Sequence, residues 1–276
     1  MFIDVMVPHP TRRIITSACR KTTCSIVCLA ASQAFAFEYD AGLGVTSWQY
    51  QEHSDRVSGI SATPLTSSAS GEGLSAYLTA RYRQDEKSSL ALSINGMVPF
   101  TEARESWVHA QGTQVNNLQV FQTEQRAEFA KNLDTVIVGG WLSHEYFQQR
   151  RRNFYVNGFQ FLTEFSEVTE TVQTVWGGVL LQSEMKTVNL KGSARLGAPI
   201  WLKATNSAIP GVVWRNTDGL LVQISLETLS PVSVMQLPFR LSVTYDDKRL
   251  DGDLQRGALW PSNRFRQITV GANLKW

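Results

Sequence analysis

VNLKGSARLGAPIWLK, from Val188 to Lys203, sorts its side chains by parity. Val188, Leu190, Gly192, Ala194, Leu196, Ala198, Ile200 and Leu202 fall on one side, and Asn189, Lys191, Ser193, Arg195 and Lys203 on the other. Helical spacing would mix the two sets, whereas the period of two in a β-strand separates them. A strand in a soluble domain runs about 5–6 residues, and a tilted strand crosses a bilayer in about 9–11. The stretch therefore predicts one strand with a continuous apolar face, long enough to cross a membrane and project beyond it.

The design recurs. Leu74, Ala76, Leu78, Ala80 and Tyr82 alternate with Tyr77, Thr79, Arg81 and Arg83. Leu90, Leu92, Ile94, Gly96, Val98 and Phe100 alternate with Ser93 and Asn95; Leu220, Val222, Ile224 and Leu226 with Gln223, Ser225 and Glu227; Phe239, Leu241, Val243 and Tyr245 with Arg240, Ser242, Thr244 and Asp246. Phe37, Tyr39, Ala41, Leu43 and Val45 share a face, but Trp48 and Tyr50 fall on the opposite parity, which predicts a slip of phase through a bulge. Segments 115–131, 134–149 and 164–182 are also strand-like.

Connections alternate in length. Short ones fall at Asp85–Ser88, Lys131–Asp134, Ser183–Lys186 and Ser230–Leu237, and long polar ones at Gln51–Gly73, Thr101–Gln114, Arg150–Thr163, Ala204–Arg215 and Asp247–Asn263. Ten strands with short turns at one end and long loops at the other is the layout of a transmembrane, antiparallel, up-and-down β-barrel; eight or twelve strands are the alternative counts. Phe37, Tyr39, Tyr82, Phe129, Phe239 and Trp276 then gather at the short-turn rim, with Phe100, Tyr146 and Tyr245 near the other.

Both ends of the chain fit this layout. Arg12, Arg13, Arg20 and Lys21 precede a mostly apolar run, TTCSIVCLAASQAFA, whose last residues Ala34-Phe35-Ala36 have the small-x-small form of a secretory cleavage site. We expect residues 1–36 to be a cleaved signal peptide, with Ala34 and Ala36 marking the cleavage site, and 37–276 to form the barrel. All three cysteines lie before Phe37, as do four of the 26 basic residues and one of the 24 acids, which leaves the barrel a net charge of −1. No nucleic-acid partner follows from that balance. The last residues, TVGANLKW (Thr269–Trp276), put Val270, Ala272, Leu274 and Trp276 on one face of a strand built to the final residue.

These features resemble the bacterial outer-membrane β-barrel proteins. In that class the last strand commonly reads polar-x-Gly-x-x-apolar-x-aromatic, and Thr269, Gly271, Leu274 and Trp276 match each place. The resemblance implies a site in the cell outer membrane among lipid and lipopolysaccharide, and recognition of Trp276 by the barrel-assembly machinery. Periodicity does not itself tell inside from outside, so a soluble lipocalin-like barrel or sandwich with its apolar faces inward is the competing reading. Strand length, strand number and the aromatic end favour lipid.

With the apolar faces outward, Arg81, Arg83, Arg126, Lys191, Arg195, Arg240 and Lys275 point into the lumen with Glu124, Glu128, Glu227 and Asp246. Barrels of few strands are filled by their own side chains, and buried charges are costly unless paired. The lumen charges therefore form either a salt-bridge network that plugs the barrel or the basic lining of a narrow anion path. Three histidines, His53, His109 and His144, map to outer strand ends or loops. They leave open a rim enzyme acting on lipid or peptide, but Ser143-His144-Glu145 is no local triad, because neighbours in a strand face opposite ways. No cofactor and no metal site is expected, and Asp251-Gly252-Asp253 lacks the rest of a calcium loop. The loop aromatics Trp107, Trp214 and Trp260 either meet a partner or pack the loops together. The leading expectation is a non-enzymatic barrel, a narrow channel or a structural and surface element; a rim enzyme and a polymer-export component are the alternatives.

Overall fold

The computed structural model describes residues 37–54, 65–85, 87–109, 112–160, 167–234 and 237–276; the expected leader, with Ala34 and Ala36, lies outside the described residues. The elements are β1 (Phe37–Ser54), β2 (Leu65–Arg83), β3 (Ser88–Pro99), β4 (Ala103–His109), β5 (Gly112–Leu133), β6 (Val136–Val156), β7 (Phe159–Gln160), β8 (Glu167–Met185), β9 (Leu190–Asn206), β10 (Gly219–Thr228), β11 (Val232–Val234), β12 (Leu237–Leu250), β13 (Asp253–Gln255), β14 (Ala258–Trp260) and β15 (Ser262–Lys275). Ten of them close a ring in the order β1, β2, β3, β5, β6, β8, β9, β10, β12, β15. Every neighbouring pair in the ring is antiparallel. The closing pair runs from Asp40↔Lys275 to His53↔Ser262. Trp276 extends the closure, donating its N–H to Tyr39 O at 3.0 Å and accepting from Tyr39 N at 2.9 Å. A closed ring has no edge strand, as a hydrocarbon surround requires.

The strands are longer than a bilayer demands, and their outer faces show why. On β1 the outward residues Phe37 to Val45 are apolar, and the next ones, Ser47, Gln49, Gln51 and His53, are polar. On β2 the change falls between Leu74 and Glu72, and on β15 between Ile268 and Arg266. The register places Val45 between Leu74 and Val270, and Ser47 between Glu72 and Ile268, so the change falls at one level on β1 and β2 and one outward residue higher on β15. Nine residues at about 3.3 Å each, tilted by about 40°, rise about 23 Å, close to the apolar band of outer-membrane barrels. Beyond that level β1, β2 and β15 continue into water.

This corrects three sequence expectations. β1 has no bulge: its pairing with both neighbours is unbroken, and Trp48 and Tyr50 lie on the same inner face as Asp40, Gly42 and Gly44. Above the bilayer the polarity of the two faces exchanges while the pleat continues, so aromatic residues belong inside. β9, expected to run without a break, carries the slip. Trp176 pairs with Pro199 and Val175 with Trp201, leaving Ile200 as the extra residue. Leu202 and Ala204 consequently turn inward and Lys203 outward. Third, the strands run on into the polar stretches read as long loops. β4 continues β3, pairing with β2 from Thr66↔Val108 to Ser68↔Ser106 and with β5 from Ala103↔Leu118 to His109↔Gly112. β6 likewise runs on to Val156 and β12 to Leu250.

The short-turn rim carries the aromatic girdle. Phe37 lies 5.4 Å from Tyr82 and 6.3 Å from Tyr39, and Tyr39 stacks on Trp276 at 6.1 Å between centroids. Amphipathic rings of this kind settle at a lipid interface.

Candidate functional site

The lumen is where polar and charged chemistry converges, and it is built in three layers. At the short-turn end, Glu38 on β1 bonds Arg83 of β2 at 2.5 Å and Lys275 of β15 at 2.8 Å. Arg240 of β12 stands 3.6 Å from Glu227 of β10, and Tyr77 donates to Asp40 at 3.3 Å. Arg81 and Lys191 also face inward here.

The middle layer is a single polar network spanning the bore. Arg126 on β5 clasps Glu124 at 2.8–3.0 Å and donates across to Gln223 on β10 at 2.9 Å. Arg195 on β9 donates to the same Gln223 oxygen at 2.6 Å and to Glu128 at 2.7 Å. Gln223 donates in turn to Asp246, which also accepts from Gln267 at 2.9 Å. Alongside, Lys248 of β12 bonds Glu145 of β6 at 2.6 Å, and Glu145 accepts from Gln122 and from the Trp176 indole at 2.7 Å each. Buried ions hold together only when paired and hydrogen-bonded, which these are. Close packing around them depends on glycine: a Cβ at Gly197 would lie 2.4 Å from the Trp141 ring, over which Arg126 is placed at 5.4 Å.

The upper layer lies outside the bilayer and has an aromatic core. Trp48, Tyr50, Phe147 and Phe265 are buried together, with ring centroids 5.0–6.3 Å apart. Trp214, after β9, and Trp260, at the end of the β13–β14 hairpin, are both 1% exposed, so the outer segments fold down over the mouth. Trp214 donates to Ala258 O at 3.0 Å and Trp260 to Glu170 at 3.0 Å. Of the two roles left open for these two loop tryptophans, packing is the one observed. Trp107 sits inside as well, 5.2 Å from the Arg151 guanidinium.

Within this core Arg151 is surrounded by three carboxylates from three other strands: Glu52 and Glu105 at 2.8 Å and Glu170 at 3.7 Å. Burial pushes the Glu52 carboxyl up to about 7, partly offset by Arg151 and reinforced by Glu170 and Glu105. Burial would raise Glu105 too, but the charge and hydrogen bonds of Arg151, with Asn116 donating at 2.7 Å, outweigh it and hold that carboxyl below its ordinary range. One Glu52 oxygen accepts from Tyr50 and Arg151; its other is buried without a hydrogen-bond partner. Sequence reasoning missed this cage, because its four members come together only once the register of the ring is known.

The histidines do not converge. His53 and His144 face outward, His144 beside Gln125, while Ser143 and Glu145 turn into the lumen. The side chain of His109 lies outside the described residues. Among the described residues no group of three or more His, Cys, Asp or Glu could hold a metal ion.

No family model matches the chain, and no curated protein matches it in sequence. Its fold is similar to that of outer membrane protease OmpT from Escherichia coli, with a TM-score of 0.57 and 9% identity over 87% of this chain and 96% of that one. Two further solved structures align more loosely. The translocator domain of autotransporter NalP from Neisseria meningitidis gives a TM-score of 0.39 at 10% identity, covering 90% of this chain and 95% of its own. Ail, the attachment invasion locus protein of Yersinia pestis, gives 0.34 at 9% identity, covering 87% and 98%. At these identities the likeness concerns the fold. That fold is a transmembrane β-barrel of the outer-membrane type, and the exposed apolar belt is the surface such a barrel presents to lipid.

Proposed function

We propose that this protein is a closed, non-enzymatic barrel, a structural and surface element of the outer membrane. The observation that carries the reading is that side chains from strands four places apart in the ring of ten bond across the bore at successive heights. Arg126 reaches Gln223, Lys248 reaches Glu145, and Arg151 reaches Glu52. A charged path for ions needs room for water between its walls; here the walls bond to each other. Purified protein in planar bilayers is expected to give no stable conductance steps. Reproducible steps with anion preference would overturn the reading in favour of a narrow channel.

In the same reading, lipid and lipopolysaccharide surround the belt. Arg264 and Arg249, which share Asp247 at 2.5 and 3.0 Å, and Arg266 face outward just above it, where phosphorylated headgroups lie. The barrel-assembly machinery recognises Thr269, Gly271, Leu274 and Trp276. The name of the OmpT match suggests a protease as the rival. Peptide and lipid substrates presented to the folded protein are expected to stay intact, and turnover abolished by a rim substitution would establish the rival.

A further inference from the structure

Just above the apolar belt, on the outer face of β12 and β15, three arginines share one acid. Arg249 lies directly opposite Arg264 in the antiparallel register, and Asp247 directly opposite Arg266. Like charges facing each other across two strands repel. Asp247 is buried beside the pair, bonds Arg264 at 2.5 Å and Arg249 at 3.0 Å, and holds them together. Arg266 forms no ion pair among the described residues and donates to Gln51 of β1 at 3.1 Å. The outward arginines of β6 are matched one to one: Arg150 has Glu167 at 2.9 Å, and Arg152 has Glu102. Three guanidiniums against one carboxylate leave two positive charges on the β12–β15 face. Asp218 and Asp251 stand farther from the belt, and Glu72 lies two strands away on β2. Among the described residues, none of these three acids pairs with the arginines.

A groove in the lipid-facing wall ends beside this cluster. Ala194 on β9 is a small outward residue between Leu181 of β8 and Ile224 of β10, and the dip it leaves belongs to a groove of about 480 Å³. Val179, Leu196 and Val222 continue it toward the long-loop end. Its lining is apolar apart from Arg195, whose guanidinium turns inward to Glu128. Val222 is opposite Asp247 in the register of β10 and β12. The upper end of the groove is therefore one strand spacing, about 4.8 Å, from the acid that holds the arginines. An apolar furrow within the belt, with a cationic patch at its head, suits a ligand that is itself apolar at one end and anionic at the other.

We propose that this face binds one phosphorylated lipid of the outer leaflet, with an acyl chain in the groove and a phosphate monoester on Arg249, Arg264 and Arg266. A phosphate monoester carries a charge of about −1.5 to −2 at neutral pH, which matches the excess of two. Guanidinium forks suit its several acceptor oxygens. The long-loop end faces outside in barrels of this layout. The acylated, phosphate-bearing glycolipid on that side is lipopolysaccharide, so its lipid A portion is the occupant. The proposal deepens the proposed function, on which it rests for the lipid surround, by assigning a single lipid to a fixed place on the wall.

The test is native mass spectrometry of the purified barrel in neutral detergent with bis-phosphorylated lipid A, dephosphorylated lipid A and phosphatidylglycerol as probes. One bis-phosphorylated lipid A per barrel is expected to be retained. Each comparison lipid should be held more weakly by about tenfold or more, the value of one charge-assisted hydrogen bond. Arg266→Gln, which removes no ion-pair partner among the described residues, is expected to weaken lipid A binding by about tenfold and to leave the dephosphorylated form unaffected. Ala194→Phe fills the groove with an apolar ring and is expected to weaken both forms, whereas Ala76→Phe, on the lipid face of β2, weakens neither. Heat-dependent gel migration identifies the variants that fold. Equal retention of the two lipid A forms, equal retention of phosphatidylglycerol, or unchanged affinity in folded Arg266→Gln or Ala194→Phe overturns the site. Should those variants not fold, the comparison of the two lipid A forms decides. Conductance steps together with phosphate-dependent binding would defeat the closed-barrel reading and leave the site standing. Loss of phosphate dependence in a non-conducting barrel would defeat the site alone.

Discussion

The lower and upper halves of this barrel share strands, pleat and register, yet they are built inside out relative to each other. Below the level of Val45 and Ile268 the outer face is apolar and the bore holds Arg126, Arg195 and their carboxylate partners. Above it the outer face is Ser47, Gln49 and Gln51, and the bore holds Trp48, Tyr50, Trp176 and Trp260. Side-chain parity fixes which residues share a face; the medium decides which face is apolar. In lipid, burial carries little hydrophobic gain, so the inner face is free to be polar if its groups bond one another. In water the upper half needs an apolar core like that of any soluble domain. Its cage of Arg151 and three glutamates is the exception within that core, and it is where the upper half is most vulnerable.

The largest expected effect tests that exception. Arg151→Met removes the cation that, among the described residues, pairs with Glu52, Glu105 and Glu170. Breaking a buried ion pair from one side costs about 3–5 kcal/mol. Denaturant unfolding in micelles, followed by tryptophan fluorescence, should show the upper half opening before the lower. Wild-type unfolding in this variant would mean that the carboxylates are already neutral or hydrated.

Next comes the direct contrast between the two outer faces. Leu196→Arg, facing lipid at mid-strand, is expected to cost roughly 2–4 kcal/mol in refolding titrations into vesicles. The same charge placed at Gln49, on the outer face of the upper half, should change stability by about 0.5 kcal/mol or less. Equal penalties would erase the distinction between the halves and return the soluble-barrel reading.

A pH titration sharpens the comparison within the upper half. Glu52 is raised to about 7 from an ordinary 4.5. A carboxyl raised on folding binds its proton more tightly in the native state, so its contribution is complete below pH 4.5 and is lost as pH climbs through about 7. The loss is up to about 3 kcal/mol. Glu105, depressed on folding, contributes in the opposite sense: its stabilisation is present above its unfolded value and lost as acid is added. Stability should therefore fall between about pH 5 and 7, and Glu52→Gln should flatten that slope. A slope that persists in Glu52→Gln assigns the proton elsewhere.

How far the sequence discloses all this differs between the halves. The lower half was legible because alternation, girdle aromatics and inward charges such as Lys191 and Arg195 all follow from parity within one strand. The upper half was misread where its polarity exchanged: Trp48 and Tyr50 looked like a slip, and the polar outer residues of β4 and β6 looked like loops. The signal was present, since Ser47, Gln49 and Gln51 keep the alternation without a break. The reverse error at Ile200-Trp201 had no such signal, because apolar residues occupy both faces there. The Arg151 cage is a matter of tertiary register, as its members lie 46 and 99 residues apart for Glu105 and Glu52.

The smallest expected effect locates the boundary itself. Ser47 is the first polar outward residue of β1, flanked by Glu72 on β2 and Ile268 on β15. Its two neighbours disagree, so the hydrocarbon edge passes near it. Ser47→Leu is expected to be neutral or to stabilise by no more than about 1 kcal/mol, since part of the added apolar area meets lipid. Val45→Ser, one outward step lower and 53% exposed on the lipid face, should cost about 1 kcal/mol or more, because its hydroxyl enters hydrocarbon without an assured partner. Both are small enough to require paired refolding titrations in vesicles of two acyl-chain lengths. Thicker bilayers should increase the gain at Ser47, because the edge then rises past it, and leave the penalty at Val45 in place. If Ser47→Leu is as costly as Gln49→Leu in both lipids, the hydrocarbon edge lies below Ser47 in both, and its apolar neighbour Ile268 does not mark the reach of the membrane.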